Sequence, residues 1–123
     1  GVVYSHRSTI LHTLVGGLGD FWGLRGQDVL LPVTPMFHAN CWGIPYAAVM
    51  MGVKLVFPGP HLHPDDLLDL ITDQQPTLSL GVPTIWLSMI QLYEAHPGRS
   101  TLPEGLRSMV GGSAVPEALI RAF

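Results

Sequence analysis

Short apolar runs alternate with helix-forming segments along this whole chain, and Pro or Gly punctuates the joins. Strands without polar alternation need cover on both faces, which a parallel sheet between layers of helix provides. The order predicted is helix, strand, helix, strand, helix, strand, helix, strand, helix. Ser5 caps a first helix with Ile10, Leu11, Leu14, Val15 and Leu18 on its apolar face, and Gly16, Gly17 and Gly19 weaken its end. Residues 28–33 form a buried strand closed by Pro32 and Pro35. Residues 44–51 are apolar on nearly all sides and predict a fully buried helix, and Pro45 in its first turn places its start near Cys41 to Gly43. A strand over 54–57 follows. Pro64, Asp65 and Asp66 then open a helix whose apolar face is Leu67, Leu68, Leu70 and Ile71. A strand at 77–80, a helix at 85–93, a strand at 106–110 and a helix at 116–123 complete an α/β chain with no internal repeat.

In such sheets ligands bind beyond the carboxyl ends of the strands. Three turns meet that condition, at 35–43, 81–84 and 111–116, and all three are expected to face one cleft. The first, Pro35-Met36-Phe37-His38-Ala39-Asn40-Cys41-Trp42-Gly43, joins a hydrogen-bonding imidazole to a large flat apolar ring. His38 reads either as a core histidine or as a polar group aimed at a ligand. Trp42, Trp86, Met50 and Met51 read either as core or as the wall of an acyl tunnel.

Composition narrows the function classes. Of 123 residues, 47% are hydrophobic and 12% charged, against about 25% charged in an average domain. A body this small has a large relative surface to cover, so the chain reads as the interior of something bigger. Six Lys and Arg and a net charge of −3 give no footprint for nucleic acid. One cysteine excludes an internal disulfide framework and a multi-cysteine metal site. No apolar run reaches the roughly 18–20 residues of a spanning helix. The start resembles no signal peptide, and a cytosolic compartment is compatible. His61 and His63 lie in a proline-bounded turn and read as surface loop. His6 and His12 belong to the first helix and the residues leading into it. Gly-x-Ser-x-Gly is absent, so no nucleophile elbow is predicted. The glycines at 111 and 112 allow close approach of a flat ring or phosphate to the backbone.

Gly1-Val2-Val3-Tyr4-Ser5-His6-Arg7, Pro35-Met36-Phe37-His38, Gly81-Val82-Pro83-Thr84 and Gly111-Gly112-Ser113-Ala114 with Pro116 occur in one order. Together they resemble the adenylate-forming (AMP-binding) acyl-CoA synthetase superfamily. Asn40-x-Trp42-Gly43-x-Pro45-Tyr46 is most similar to its medium- and long-chain fatty-acid–CoA ligases. The resemblance covers the whole chain and implies part of the large N-terminal adenylation domain of such an enzyme. Val115, between Ala114 and Pro116, departs from the family's usual turn and shifts its register by up to one residue.

The resemblance implies a two-step reaction, in which ATP with Mg²⁺ converts a fatty acid to its acyl adenylate and CoA then displaces AMP. By the same resemblance, His38 is the catalytic residue beside the acyl carboxylate and phosphates, with an orienting role. Trp42, Gly43, Val82 and Pro83 line the acyl path, together with Met50, Met51 and the apolar face of 85–89. Gly111, Gly112, Ser113 and Ala114 bind the nucleotide. The phosphate loop with its lysine is expected upstream of Gly1. A Tyr-Gly-x-Thr-Glu motif supplying the Mg²⁺ ligand and a mobile C-terminal domain are expected downstream of Phe123. The 123 residues are accordingly expected to be inactive alone. The parent protein is expected to be cytoplasmic, with peripheral membrane attachment and homodimer formation open. Two alternatives stand beside the ligase: a fatty acyl-AMP ligase or luciferase-like enzyme, and a non-catalytic acyl- or nucleotide-binding remnant.

Overall fold

The computed structural model describes residues 1–123. Ten elements follow in chain order. Helix α1 spans His6–Gly16, strand β1 Val29–Pro32, a short turn α2 Ala39–Trp42, helix α3 Ile44–Met51 and strand β2 Lys54–Leu55. Helix α4 spans Pro64–Gln74, β3 Leu78–Gly81, α5 Pro83–Ala95, β4 Arg107–Val110 and α6 Glu117–Ala122. The strands form one wholly parallel sheet in the order β2-β1-β3-β4. The expected α/β architecture is therefore present.

Successive residues of β1 point to opposite faces, and the two faces carry separate cores. Leu30 joins Leu78, Leu80, Ile44, Ala47 and Ala48 on the side of α1 and α3. Leu31 and Val33 join Leu67, Leu68, Ile71, Trp86 and Met89 on the side of α4, α5 and α6. Both strand faces are covered by apolar side chains, which explains the unbroken apolar character of the strands.

Chain order also sets where a ligand fits. From β1 the chain crosses one way to β2, and from β3 it crosses the other way to β4. The neighbours β1 and β3 thus flank the point where the winding reverses, and a crevice opens there beyond their carboxyl ends. At the opposite end of the sheet sits a polar clamp. Buried Asp28 accepts hydrogen bonds from Thr77 Oγ1 at 2.7 Å, the Arg25 backbone N–H at 2.8 Å and Arg107 Nη2 at 2.7 Å. These groups tie the starts of β1, β3 and β4 together. Burial alone would raise the Asp28 carboxyl, but the bonds from Thr77, Arg25 and Arg107 outweigh it and hold the group below its ordinary 3.8.

Several details differ from expectation. Ser5 does cap α1, accepting from the Ser8 backbone N–H at 3.1 Å. However, Ile10, Leu11, Leu14, Val15 and Leu18 face outward and are exposed. The inward side of α1 is its small and polar one, with Thr9 and Thr13 half-buried and Gly16 buried. Close packing explains this: a Cβ on Gly16 would fall inside the indole of Trp22. Helix α3 is also not covered all round, since Tyr46, Val49 and Met50 are exposed and only Ile44, Ala47 and Ala48 are buried. Strand β2 ends at Leu55 rather than 57: Lys54 and Leu55 are its paired residues, and beyond them β1 receives only the Val56 backbone N–H, at 2.9 Å from the Leu30 carbonyl oxygen. No helix is long and apolar enough to cross a membrane.

Candidate functional site

The turn after β1 is wound left-handed. Ala39, Asn40, Cys41 and Trp42 have φ of 48°, 53°, 54° and 54°, and Gly43 follows at 68°. Left-handed winding brings each Cβ against the following carbonyl, which disfavours it by roughly 1–2 kcal/mol per non-glycine residue. Asn40 is the residue type that tolerates it best. Helix α3 begins at Ile44, with Gly43 as its cap and Pro45 second, at the end of the expected start range of Cys41 to Gly43; the residues 39–42 before it are left-handed and not part of that helix.

What holds the turn is on both of its sides. Cys41 is fully buried and its thiol donates to the Thr34 carbonyl at 3.0 Å. Burial pushes that thiol up to about 11, so it stays protonated and remains a donor at neutral pH. The Gly43 backbone lies against His12, whose Nδ1 is 2.7 Å from where a Cβ on Gly43 would be. Beyond it, His12 meets the ring of Trp22 at 5.5 Å between centroids.

Left-handed winding also aims Trp42. Its indole Cη2 lies 3.1 Å from the Cβ position of Gly111, just past the end of β4. Strands β1 and β4 are separated by β3, about 10 Å at two sheet spacings. The indole thus bridges the carboxyl edge of the sheet. Gly112 in turn lies against Val82, whose Cγ1 is 3.2 Å from the Cβ position there, at a φ of 88°. The three strand-end turns predicted to share a cleft are in direct contact through Trp42–Gly111 and Val82–Gly112.

A cavity of about 460 Å³ opens beside this bridge. Trp42, Gly43 and Asn40 line it from the β1 side. Tyr4, Ser8, Thr9, His12, Phe21, Trp22 and Tyr46 line the rest. None of these seven was expected in the site. The signal was present, because Ser8 with His12 and Thr9 with Thr13 recur four residues apart and mark one polar helix face. Met50 and Met51 do not line this cavity, and Trp86 and Met89 lie in the core on the far face of the sheet, beside a second apolar cavity of about 360 Å³.

The remaining predicted residues sit as follows. His38 is exposed, precedes the left-handed turn, and makes no side-chain hydrogen bond. Val82 is the cap of α5 and Pro83 its buried first residue. Gly111 is half-buried, while Gly112, Ser113 and Ala114 are exposed along the rim beyond β4. His61 and His63 are exposed in the loop before α4. No group of three or more His, Cys, Asp or Glu side chains placed to hold a metal ion is found in the chain.

A parallel sheet with a winding reversal, its strand ends rimmed by a glycine turn and an aromatic cavity, defines a doubly wound α/β domain with a crevice where such sheets take a ligand. The whole chain, residues 1–123, matches the family described as AMP-binding enzyme, and it belongs to that family. It is 47% identical to the long-chain-fatty-acid–CoA ligase of Thermus thermophilus and 46% identical to the 3-methylmercaptopropionyl-CoA ligase of Ruegeria pomeroyi. Each match covers 100% of this chain and 22% of the relative. The chain thus spans about a fifth of the length of the curated relatives it matches. Its fold superposes on the N-terminal domain of FACL13 from Mycobacterium tuberculosis with a TM-score of 0.80, at 28% identity over 99% of this chain and 29% of that one. The resemblance read from the four motifs is borne out.

Proposed function

We propose that the intact protein is an acid–thiol ligase that activates a medium- or long-chain fatty acid. A carboxylate oxygen attacks the α-phosphorus of ATP and pyrophosphate leaves. The CoA sulfur then attacks the acyl carbonyl and AMP leaves. The observation that carries this reading is the contact of the Trp42 indole with Gly111, which joins an aromatic cavity to a glycine turn suited to a purine.

In this reading Gly111, Gly112, Ser113 and Ala114 hold adenine against exposed backbone. Trp42, Gly43, Val82 and Pro83 guide the acyl chain. Burial of that chain contributes about 0.8 kcal/mol per methylene, which is enough to set a length preference. His38, poised at the mouth of the turn with a free ring, orients the carboxylate by a donated hydrogen bond. Chemistry of this type depends on positioning and on electrostatic stabilisation of phosphate charge.

A second reading, a short thioether acid as substrate, is favoured by the relative named for 3-methylmercaptopropionyl-CoA. ATP–pyrophosphate exchange by the intact protein, followed by thioester formation with CoA, separates the two. Exchange that rises with fatty-acid chain length supports the first; exchange confined to short thioether acids supports the second. Exchange with neither, from a folded protein, refutes both.

A further inference from the structure

We propose that the left-handed turn Ala39–Trp42 is a positioning device and that Cys41, anchored on Thr34 opposite the His12–Gly43 contact, is a residue needed to keep it wound, thereby setting the Trp42 indole against Gly111 and coupling the acyl side of the cleft to the nucleotide side. This rests on the ligase reading above for what occupies the cleft, but not for how the turn is held.

Four consecutive non-glycine residues in the left-handed region oppose their own backbone preference. Such a conformation persists only where its surroundings over-determine it. Within the turn, the single side-chain hydrogen bond is the one from Cys41 to the Thr34 carbonyl. The thiol is fully buried, and loss of its proton is disfavoured there by burial, so the bond is not a target of ordinary pH change. The next residue carries the indole across the sheet edge to Gly111. Unwinding the turn withdraws the indole from Gly111 and exposes the Cys41 sulfur in one movement. A ligand that spans Trp42 and the Gly111 turn binds only the wound form, so it protects Cys41 by population shift.

The test uses the intact protein, with N-ethylmaleimide as the probe and peptide mass spectrometry to read Cys41 alone. Labelling of native Cys41 is expected about 100-fold slower than in urea-unfolded protein, and about tenfold slower again with a non-hydrolysable acyl-adenylate analogue bound. Cys41→Ala removes the donor and is expected to raise the KM for the acid about fivefold while the KM for ATP stays within about twofold. Cys41→Ser keeps a donor and restores the acid KM. Equal labelling of native and unfolded protein, no protection by the analogue, an unchanged acid KM in Cys41→Ala, or a Ser variant no better than Ala each overturns the proposal. Should Cys41→Ala fail to fold, the labelling of the wild-type protein decides. Wild-type protein without acid-dependent pyrophosphate exchange defeats the ligase reading instead, and slow native labelling then still supports the wound turn.

Discussion

Gly111→Ala isolates the contact on which the cleft depends. Gly111 is not among the residues with positive φ, so its backbone accepts a side chain and only space is at issue. The new methyl would lie 3.1 Å from Cη2 of Trp42, 3.6 Å from Cζ2 and 3.7 Å from Cζ3. Carbon atoms pack best at about 3.5–4.0 Å, so the indole must retreat by about half an ångström. Overpacking of this kind costs about 1–3 kcal/mol in a tight core. Trp42 is only half-buried and can yield, which disfavours the seated indole by about 1 kcal/mol; with the seated indole as the form that binds the acid, kcat/KM for the acid falls about fivefold. Steady-state pyrophosphate release from the intact protein measures it. Because Gly111 also belongs to the nucleotide turn, the decisive comparison is a double-mutant cycle with Trp42→Ala. With the indole gone, Gly111→Ala should have no further effect, a coupling of about 1 kcal/mol. An equal loss in both backgrounds would show that the methyl acts on the nucleotide directly and would refute the bridge.

Three further outcomes are expected. Asp28→Asn should lower stability by about 2–3 kcal/mol, because a buried acceptor of several hydrogen bonds loses its charge. Since the folded Asp28 carboxyl lies below its ordinary 3.8, its contribution is complete above that value and is lost as pH falls through it toward the depressed folded value. Urea midpoints should therefore converge in acid, and a gap independent of pH contradicts the clamp. Gly16→Ala places a methyl inside the Trp22 indole, so overpacking of about 1–3 kcal/mol should exceed the helix-propensity gain of up to about 1 kcal/mol. A stabilised variant in chemical denaturation would show that α1 is not seated closely there. His38→Ala should slow adenylate formation about tenfold or more with circular dichroism unchanged; an unaltered rate of pyrophosphate release removes His38 from the site.

The sheet was legible in the sequence because its signals are local. Proline and glycine punctuation, the Ser5 cap and the acids after Pro64 each state a boundary within a few residues. The side of α1 that packs was not legible, because Ile10, Leu11 and Leu14 outrank Thr9, Thr13 and Gly16 on any hydropathy count. What decides the matter is the closeness that glycine allows to Trp22. Handedness of the turn at 39–42 was equally hidden, since no glycine lies within those four residues and tertiary contacts from Thr34 and His12 impose it. The three strand-end turns were found from their place in the topology. The α1 side of the cavity was missed because it comes from before β1, and the topological rule looks only beyond the strands.

The most direct measurement of the central claim is a crystal structure of the intact protein with an acyl-adenylate analogue. One cleft at the carboxyl ends of β1, β3 and β4 predicts adenine against Gly111 to Ala114 and the acyl chain running past Trp42 and Gly43, with the indole still between the two. Adenine bound away from the Gly111 turn, or an acyl chain on the far face of the sheet beside Trp86 and Met89, would contradict it.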